Sequence, residues 1–156
     1  MSRSLPEWLA YIEVLHDRAW DPGLVRVGEV GRRLNVLHPG KHTILVAGTN
    51  GKGSTCEYIE RLALKQGLTA GKTTSPHLRR FNERIVINGV AVSDEEICQA
   101  FAMIEASRRE ISLSYFEFST LAALVLFQQH EVDLAILEVG LGGRLDAMNI
   151  VNPDIS

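Results

Sequence analysis

The sequence has few cysteines and no long hydrophobic run. Its two cysteines, Cys56 and Cys98, lie far apart and form no CxxC pair, which argues against a zinc site or a disulfide framework. They indicate the reduced thiols of a cytosolic protein. No apolar run approaches the roughly 18 residues of a membrane span, and Glu7 and Glu13 interrupt the region where a signal peptide needs an apolar core. We therefore expect a cytoplasmic protein that makes no use of a membrane.

The sequence also has fewer basic residues than acidic ones. The 16 lysines and arginines are outnumbered by 19 aspartates and glutamates, and the net charge of −3 argues against a general nucleic-acid binder. Any anionic ligand must therefore be held by a local site rather than by a basic surface. The 156 residues, of which 46% are hydrophobic, are enough for one globular domain with a sizeable core.

Hydrophobic patterns alternate between strands and helices along the chain. The runs HTILVAG (residues 42–48) and VDLAILEVG (residues 132–140) are typical of buried parallel strands. Capping boxes at Ser4 and Ser93 predict helix starts, and Asn88 with Gly89 predicts the turn of a β-hairpin. This alternation indicates an α/β fold, a doubly wound parallel sheet with helices on both faces. The ending NIVNPDIS resembles the approach to a further strand.

The stretch LVAGTNGKGSTCEYIERL (residues 45–62) runs from an apolar strand through glycines into a helical pattern. Small residues at such a junction let backbone N–H groups turn toward an anion, and Lys52 would reach phosphates as a point charge. The standard phosphate-loop pattern G-x-x-x-x-G-K-S/T is not met, because Gly53 follows Lys52 and the loop is shorter by two residues. The residues alone leave two interpretations, a phosphate-binding loop and a glycine-rich structural turn.

Further polar residues follow the second of these predicted strands. Glu138 ends it where a Walker B-type magnesium ligand would lie, and a cap on the next glycine-rich turn is the alternative. The segment EVGLGGRLDAMN (residues 138–149) either brings Arg144 to a phosphate or carboxylate, or forms a surface loop with a solvated arginine. The aromatic residues of SYFEF (residues 114–118) either stack on a planar ring or belong to the core.

Five spaced motifs resemble the dihydrofolate synthase/folylpolyglutamate synthase family of the Mur ligase superfamily. In chain order they are VAGTNGKGST, SPHL, ERI, YFEFSTLAAL and LEVGLGGRLDAMNIV, and the resemblance extends from Trp8 to Ser156. The shortened phosphate loop is the superfamily's own form. The resemblance implies an N-terminal helical segment at residues 1–40 and a Mur-ligase-type, ATP-binding P-loop domain at residues 41–156.

The resemblance also implies the residues of the site. The ATP phosphates would be held by Thr49, Asn50, Gly51, Lys52, Gly53 and Ser54, and magnesium by Ser75 and Glu138. Lys52 and Glu138 would support catalysis. The pterin-side substrate would be bound by Asp21, Pro22, Gly23, Leu24, Ser114, Tyr115, Phe116, Glu117, Leu145, Asp146 and Ala147. The cofactors would be ATP and Mg²⁺, and the substrates would be L-glutamate with dihydropteroate or tetrahydrofolate.

Enzymes of this family transfer the γ-phosphoryl group of ATP to a substrate carboxylate, and the amine of glutamate then attacks the acyl phosphate. The resemblance therefore implies an ATP-dependent ligase of folate biosynthesis, and SYFEF favours the bifunctional form because it suits a dihydropteroate pocket. Family members continue with further strands and a separate C-terminal ligase domain. We therefore expect this chain to be the truncated N-terminal part of a monomeric enzyme, inactive by itself. The alternative is a nucleotide-binding module without catalytic activity.

Overall fold

A five-stranded sheet lies at the centre of the protein. The structure is a computed structural model that describes residues 2–17, 23–141 and 143–156. The strands are β1 (His42–Val46), β2 (Ala70–Thr73), β3 (Ile85–Ile87), β4 (Val90–Ala91) and β5 (Leu134–Glu138). Their order in the sheet is β1-β5-β2-β3-β4, with β5 parallel to both β1 and β2. The predicted α/β sheet is confirmed, and β3 and β4 extend it as an antiparallel pair.

Both edges of the sheet agree with the sequence patterns. At one edge, Asn88 and Gly89 join β3 to β4 with φ angles of 50° and 80°, the positive values that a type I′ hairpin turn requires. At the other edge, Ile155 forms a parallel bridge to Ile44, and its carbonyl accepts a hydrogen bond of 2.9 Å from the N–H of Leu45. The predicted approach to a further strand is thus confirmed.

Five α-helices within the described ranges cover both faces of the sheet. They are α1 (Leu5–Val14), α2 (Val25–Leu34), α3 (Lys52–Lys65), α4 (Asp94–Arg108) and α5 (Tyr115–Gln129). On one face, α3 packs Cys56 and Ala63 against Ala70 and Ile136. On the other face, α5 is buried from Glu117 to Phe127 because α1, α2 and α4 surround it. This arrangement confirms helices on both faces and explains why the sequence of α5 has no polar side.

The spacing of Ile59, Leu62, Ala63 and Gln66 predicts one inward face for α3, and the structure confirms only part of it, since Ala63 is buried and Ile59 packs beside it. Leu62, expected to face inward, is 61% exposed, whereas Glu60 is buried. The cause is Lys72 on β2, whose ammonium lies 2.8 Å from the carboxylate of Glu60 and also pairs with Glu57. A buried carboxylate is tolerated here because a cation from the neighbouring strand neutralises it.

The two cysteines are free thiols, as the sequence predicts. Burial raises the pKa of Cys56 to about 12, and burial also raises the pKa of Cys98. Thiols with raised pKa values are poor nucleophiles at neutral pH, so neither cysteine suits covalent catalysis.

The first two helices join the same apolar cluster as α4 and α5. Trp8 and Ile12 from α1 and Val27 and Val30 from α2 are buried in it. A boundary near residue 40 between a helical segment and a P-loop domain stays a prediction. Within the described ranges, no helix is long and apolar enough to cross a membrane.

Candidate functional site

The carboxyl ends of β1, β5 and β2 lie side by side. Val46 pairs with Glu138, and Leu137 pairs with Thr73, so the segments that follow these strands leave from one edge of the sheet. In open α/β sheets, ligands bind outside this edge. The glycine-rich loop after β1, Glu138 at the end of β5 and Ser75 after β2 are therefore neighbours.

The glycine-rich loop is shaped by two positive φ angles. Gly48 has φ 151° and Gly51 has φ 74°, and residues that carry a Cβ atom rarely adopt these angles. α3 begins at Lys52, directly after the loop, so the free N–H groups of its first turn face the loop. The ammonium of Lys52 donates to the carbonyl of Gly48 at 2.9 Å. An anion bound in the loop would compete with that carbonyl for the lysine.

Glu138 lies beside the start of this helix. Its side chain is buried, and a Cβ atom on Gly53 would stand 3.7 Å from one of its carboxylate oxygens. Burial raises the pKa of Glu138, while Lys52 and the backbone N–H of Ser75 act in the opposite direction. A carboxylate, a nearby serine and a lysine are the groups that proteins use beside a metal-bound phosphate.

A pocket of about 320 Å³ opens next to Ser75. It lies between the loop after β2, the start of α5 and the segment after β5. Six residues of the expected pterin site line it, namely Ser114, Phe116, Glu117, Leu145, Asp146 and Ala147. The structure thus brings most of the expected substrate residues to one cavity beside the expected metal ligand Ser75.

Asp146 organises one wall of the pocket. One of its carboxylate oxygens accepts the N–H groups of Gly140 and Leu141 at 2.9 and 2.8 Å, and the other accepts that of Met148 at 2.9 Å. Burial raises the pKa of Asp146, and these three donors oppose the rise. The carboxylate therefore fixes the glycine-rich segment after β5 in its shape.

Glu117 organises the opposite wall. Its carboxylate accepts the N–H of Ser114 at 2.8 Å while the hydroxyl of Ser114 accepts the N–H of Glu117 at 3.2 Å, which is a capping box at the start of α5. The other carboxylate oxygen is 2.7 Å from the guanidinium of Arg26 on α2. This pair connects the first helices of the chain to the wall of the pocket.

Known proteins are similar to this chain in both sequence and fold. The dihydrofolate synthase/folylpolyglutamate synthase of Escherichia coli K12 is 49% identical over 152 residues, which cover 97% of this chain and 36% of the relative. The synthase of the same name from Bacillus subtilis 168 is 43% identical over 141 residues, which cover 85% of this chain and 32% of the relative. No family model matches the chain.

Solved structures agree with these relatives. E. coli FolC in complex with DHPP and ADP superimposes with a TM-score of 0.96 at 49% identity, covering 97% of this chain and 37% of that one. The chain belongs to the dihydrofolate synthase/folylpolyglutamate synthase family. The bifunctional synthase of Yersinia pestis complexed with AMPPNP and Mn has a TM-score of 0.94 at 51% identity, covering 98% of this chain and 38% of that one. The chain therefore spans about a third of the length of these family members.

Several residues expected from the family lie outside the pocket. Tyr115 lines a different cavity, which it shares with residues of α1 such as Leu9. Gly23 and Leu24 precede α2 and are not among the described residues that line the pocket. Asp21 and Pro22 lie outside the described residues. The roles that family membership implies for these residues stay predictions.

Two arginines at the site were not identified as site residues from the sequence. Arg84 lines the pocket, although its motif ERI carried the family resemblance without a role. Arg26 belongs to the upstream stretch DPGLVRV (residues 21–27), which also fits the family but gave Arg26 no role, and it is connected to the pocket through Glu117. The capping box of α5 was available in the sequence, because Ser114 and Glu117 have the S-x-x-E spacing. The pairing of Arg26 with Glu117 could not be predicted from the sequence, because 91 residues separate the two.

Proposed function

We propose that this chain forms the phosphate-binding and pterin-binding part of an ATP-dependent ligase that joins L-glutamate to dihydropteroate, to folylpolyglutamate, or to both. The observation that carries the proposal is the position of the glycine-rich loop, Glu138 and Ser75 at one sheet edge, beside the pocket. The complexes of the related synthases support it, since they contain ADP with DHPP in one case and AMPPNP, Mn and L-glutamate in another.

In this proposal the segment from Thr49 to Ser54 binds the phosphates of ATP. The backbone N–H groups at the start of α3 donate to phosphate oxygens, and Lys52 turns from the carbonyl of Gly48 to the phosphates. Ser75 and Glu138 hold Mg²⁺, which neutralises charge on the phosphate oxygens. In the described ranges, no three His, Cys, Asp or Glu side chains cluster as a metal site.

The reaction would take place where the pocket meets Ser75. A carboxylate oxygen of the substrate attacks the γ-phosphorus of ATP, ADP leaves, and an acyl phosphate forms. The amine of L-glutamate then attacks the acyl carbon, inorganic phosphate leaves, and an amide remains. The contribution of this chain is position and charge, because phosphoryl transfer needs the reacting groups in line and the developing charge neutralised.

We further propose that the full-length protein carries out this step of folate biosynthesis as a cytoplasmic monomer, with small-molecule substrates and no nucleic acid or membrane. Its C-terminal ligase domain would supply the remaining contacts to nucleotide and glutamate. Growth rescue of a strain without dihydrofolate synthase tests the bifunctional form. Without rescue, only the glutamate-extending activity would remain.

Titration of Mg²⁺-ATP into the protein tests the phosphate loop. Lys52→Ala should weaken binding roughly 10- to 100-fold, because a charge-assisted contact contributes about 1.5–3 kcal/mol. Glu138→Gln should weaken binding in the presence of Mg²⁺ and have less effect in its absence. Lys65→Ala, at the exposed far end of α3, is the matched control. Equal affinity of the wild type and Lys52→Ala would contradict the proposal, and binding without product formation by the full-length protein would favour the nucleotide-binding module.

A further inference from the structure

Arg84 has an unusual environment for a cation. It ends the short 3-10 helix Phe81–Arg84 and lines the pocket, where it is half-buried. Its guanidinium carbon lies 5.6 Å from the ring centroids of both Phe81 and Tyr115. Its Nε donates to Nδ1 of His77 at 2.8 Å. Burial lowers the pKa of Arg84.

No carboxylate of the described residues forms an ion pair with Arg84, and its two terminal nitrogens donate no hydrogen bond within those ranges. Other cations that are largely removed from water do have such partners: Lys72 pairs with Glu60, and Arg108 pairs with Glu105. Burial of a guanidinium is unfavourable unless an anion and hydrogen-bond acceptors accompany it. The missing acceptors of Arg84 therefore point to a ligand.

The acidic side chains that line the pocket already have hydrogen-bond or ion-pair partners. Asp146 accepts three backbone N–H groups, and Glu117 is shared between Ser114 and Arg26. Arg84 is thus a positive charge without an acidic partner among the described residues that line this cavity. Its planar fork of donors matches the two oxygens of a carboxylate.

We propose that Arg84 binds the carboxylate of the acid substrate and holds it at the Ser75 side of the pocket. This inference rests on the proposed function, in which the pocket takes that acid. A phosphate oxyanion would suit the same guanidinium. The substrate carboxylate is favoured because no residue of the loop from Thr49 to Ser54 lines the cavity that Arg84 lines. Arg84 would then select acids over neutral pterins of the same size.

The test compares dihydropteroate with its neutral carboxamide in direct binding measurements on the full-length protein. The wild type should bind the acid more tightly, and Arg84→Met should lose about 10- to 100-fold of acid affinity while the affinity for the amide changes less than about twofold. Arg84→Lys should recover part of the preference, because a point charge remains. Arg80→Met, an exposed arginine that pairs with Asp94, is the matched control and should behave as the wild type.

The outcomes separate this inference from the proposed function. If the wild type binds neither pterin, both are overturned. If it binds the acid but Arg84→Met and Arg84→Lys keep the full preference for it, the inference alone is overturned. Arg84→Met could instead bind Mg²⁺-ATP more weakly while the ratio of its affinities for the acid and the amide stays unchanged. That result would assign Arg84 to phosphate binding and would also overturn the inference.

Discussion

Replacement of Lys72 by methionine should be among the most destabilising single changes on the α3 face of the sheet. The side chain of Lys72 is 9% exposed, and that of its partner Glu60 is 3% exposed. The second oxygen of the Glu60 carboxylate has no hydrogen-bond partner among the described residues. Lys72→Met would therefore leave a buried carboxylate without its cation.

The expected cost follows from this burial. Removal of one partner from a buried ion pair typically costs about 3–5 kcal/mol. We expect the lower end, about 3 kcal/mol, because the other partner, Glu57, is partly exposed and remains solvated after the change. The double variant Lys72→Met with Glu60→Gln should recover most of the loss, because it removes the buried negative charge together with the positive one.

The assay is urea unfolding followed by circular dichroism, with Lys41→Met as the matched control. Lys41 also pairs with an acid, Asp133 at 2.8 Å, but its side chain is 74% exposed. The same chemical change there should alter stability little, since exposed ion pairs are screened by water. Equal loss of stability in the two single variants, or no recovery in the double variant, would refute the reasoning.

Three further predictions concern other positions. Gly71→Ala should cost about 3 kcal/mol in urea unfolding, because the new Cβ would stand 2.4 Å from the buried ring of Phe127. Ser114→Ala should cost about 1 kcal/mol in the same assay through loss of the α5 cap. The pKa of Asp133 is lowered from 3.8 to about 2 by Lys41 together with the backbone N–H and the hydroxyl of Thr69, and the two Thr69 donors remain when Lys41 is replaced. The stabilisation that ionised Asp133 gives the fold is therefore present above pH 3.8 and lost as the pH falls toward 2. Asp133→Asn should make the free energy of unfolding fall less steeply with pH in this range.

Each of these predictions has an outcome that would contradict it. An unchanged unfolding midpoint in Gly71→Ala would mean that the ring of Phe127 moves away freely. Full stability of Ser114→Ala would show that the capping box contributes nothing to α5. An acid limb of Asp133→Asn as steep as that of the wild type would assign the pH dependence to other carboxylates.

Much of the fold could be predicted because its signals are local. The apolar runs of β1 and β5 are typical of parallel strands, and the hairpin at Asn88 and the helix start after Ser93 follow from turn and cap chemistry. Parallel strands place their carboxyl ends together, so the strand pattern alone predicts that the loop after β1 and Glu138 meet at one edge of the sheet.

The rest depends on partners that are distant in the sequence. Hydrophobic spacing favours Leu62 over Glu60 on the inner side of α3, but Lys72 from β2 reverses the choice. Arg84 could not be assigned from the residues alone, because its significance lies in the lack of an acid beside it among the described residues of the folded chain. The family resemblance supplied the expected site, and the structure shows which of its residues share a cavity.

The most direct test of the account is a crystal structure of the full-length protein with Mg²⁺, a non-hydrolysable ATP analogue and dihydropteroate. We expect the phosphates along the segment from Thr49 to Ser54, the metal on Ser75 and Glu138, and the pterin acid in the pocket with its carboxylate on Arg84. Phosphates bound elsewhere, or a pterin outside the cavity between Phe116 and Asp146, would contradict the central claim.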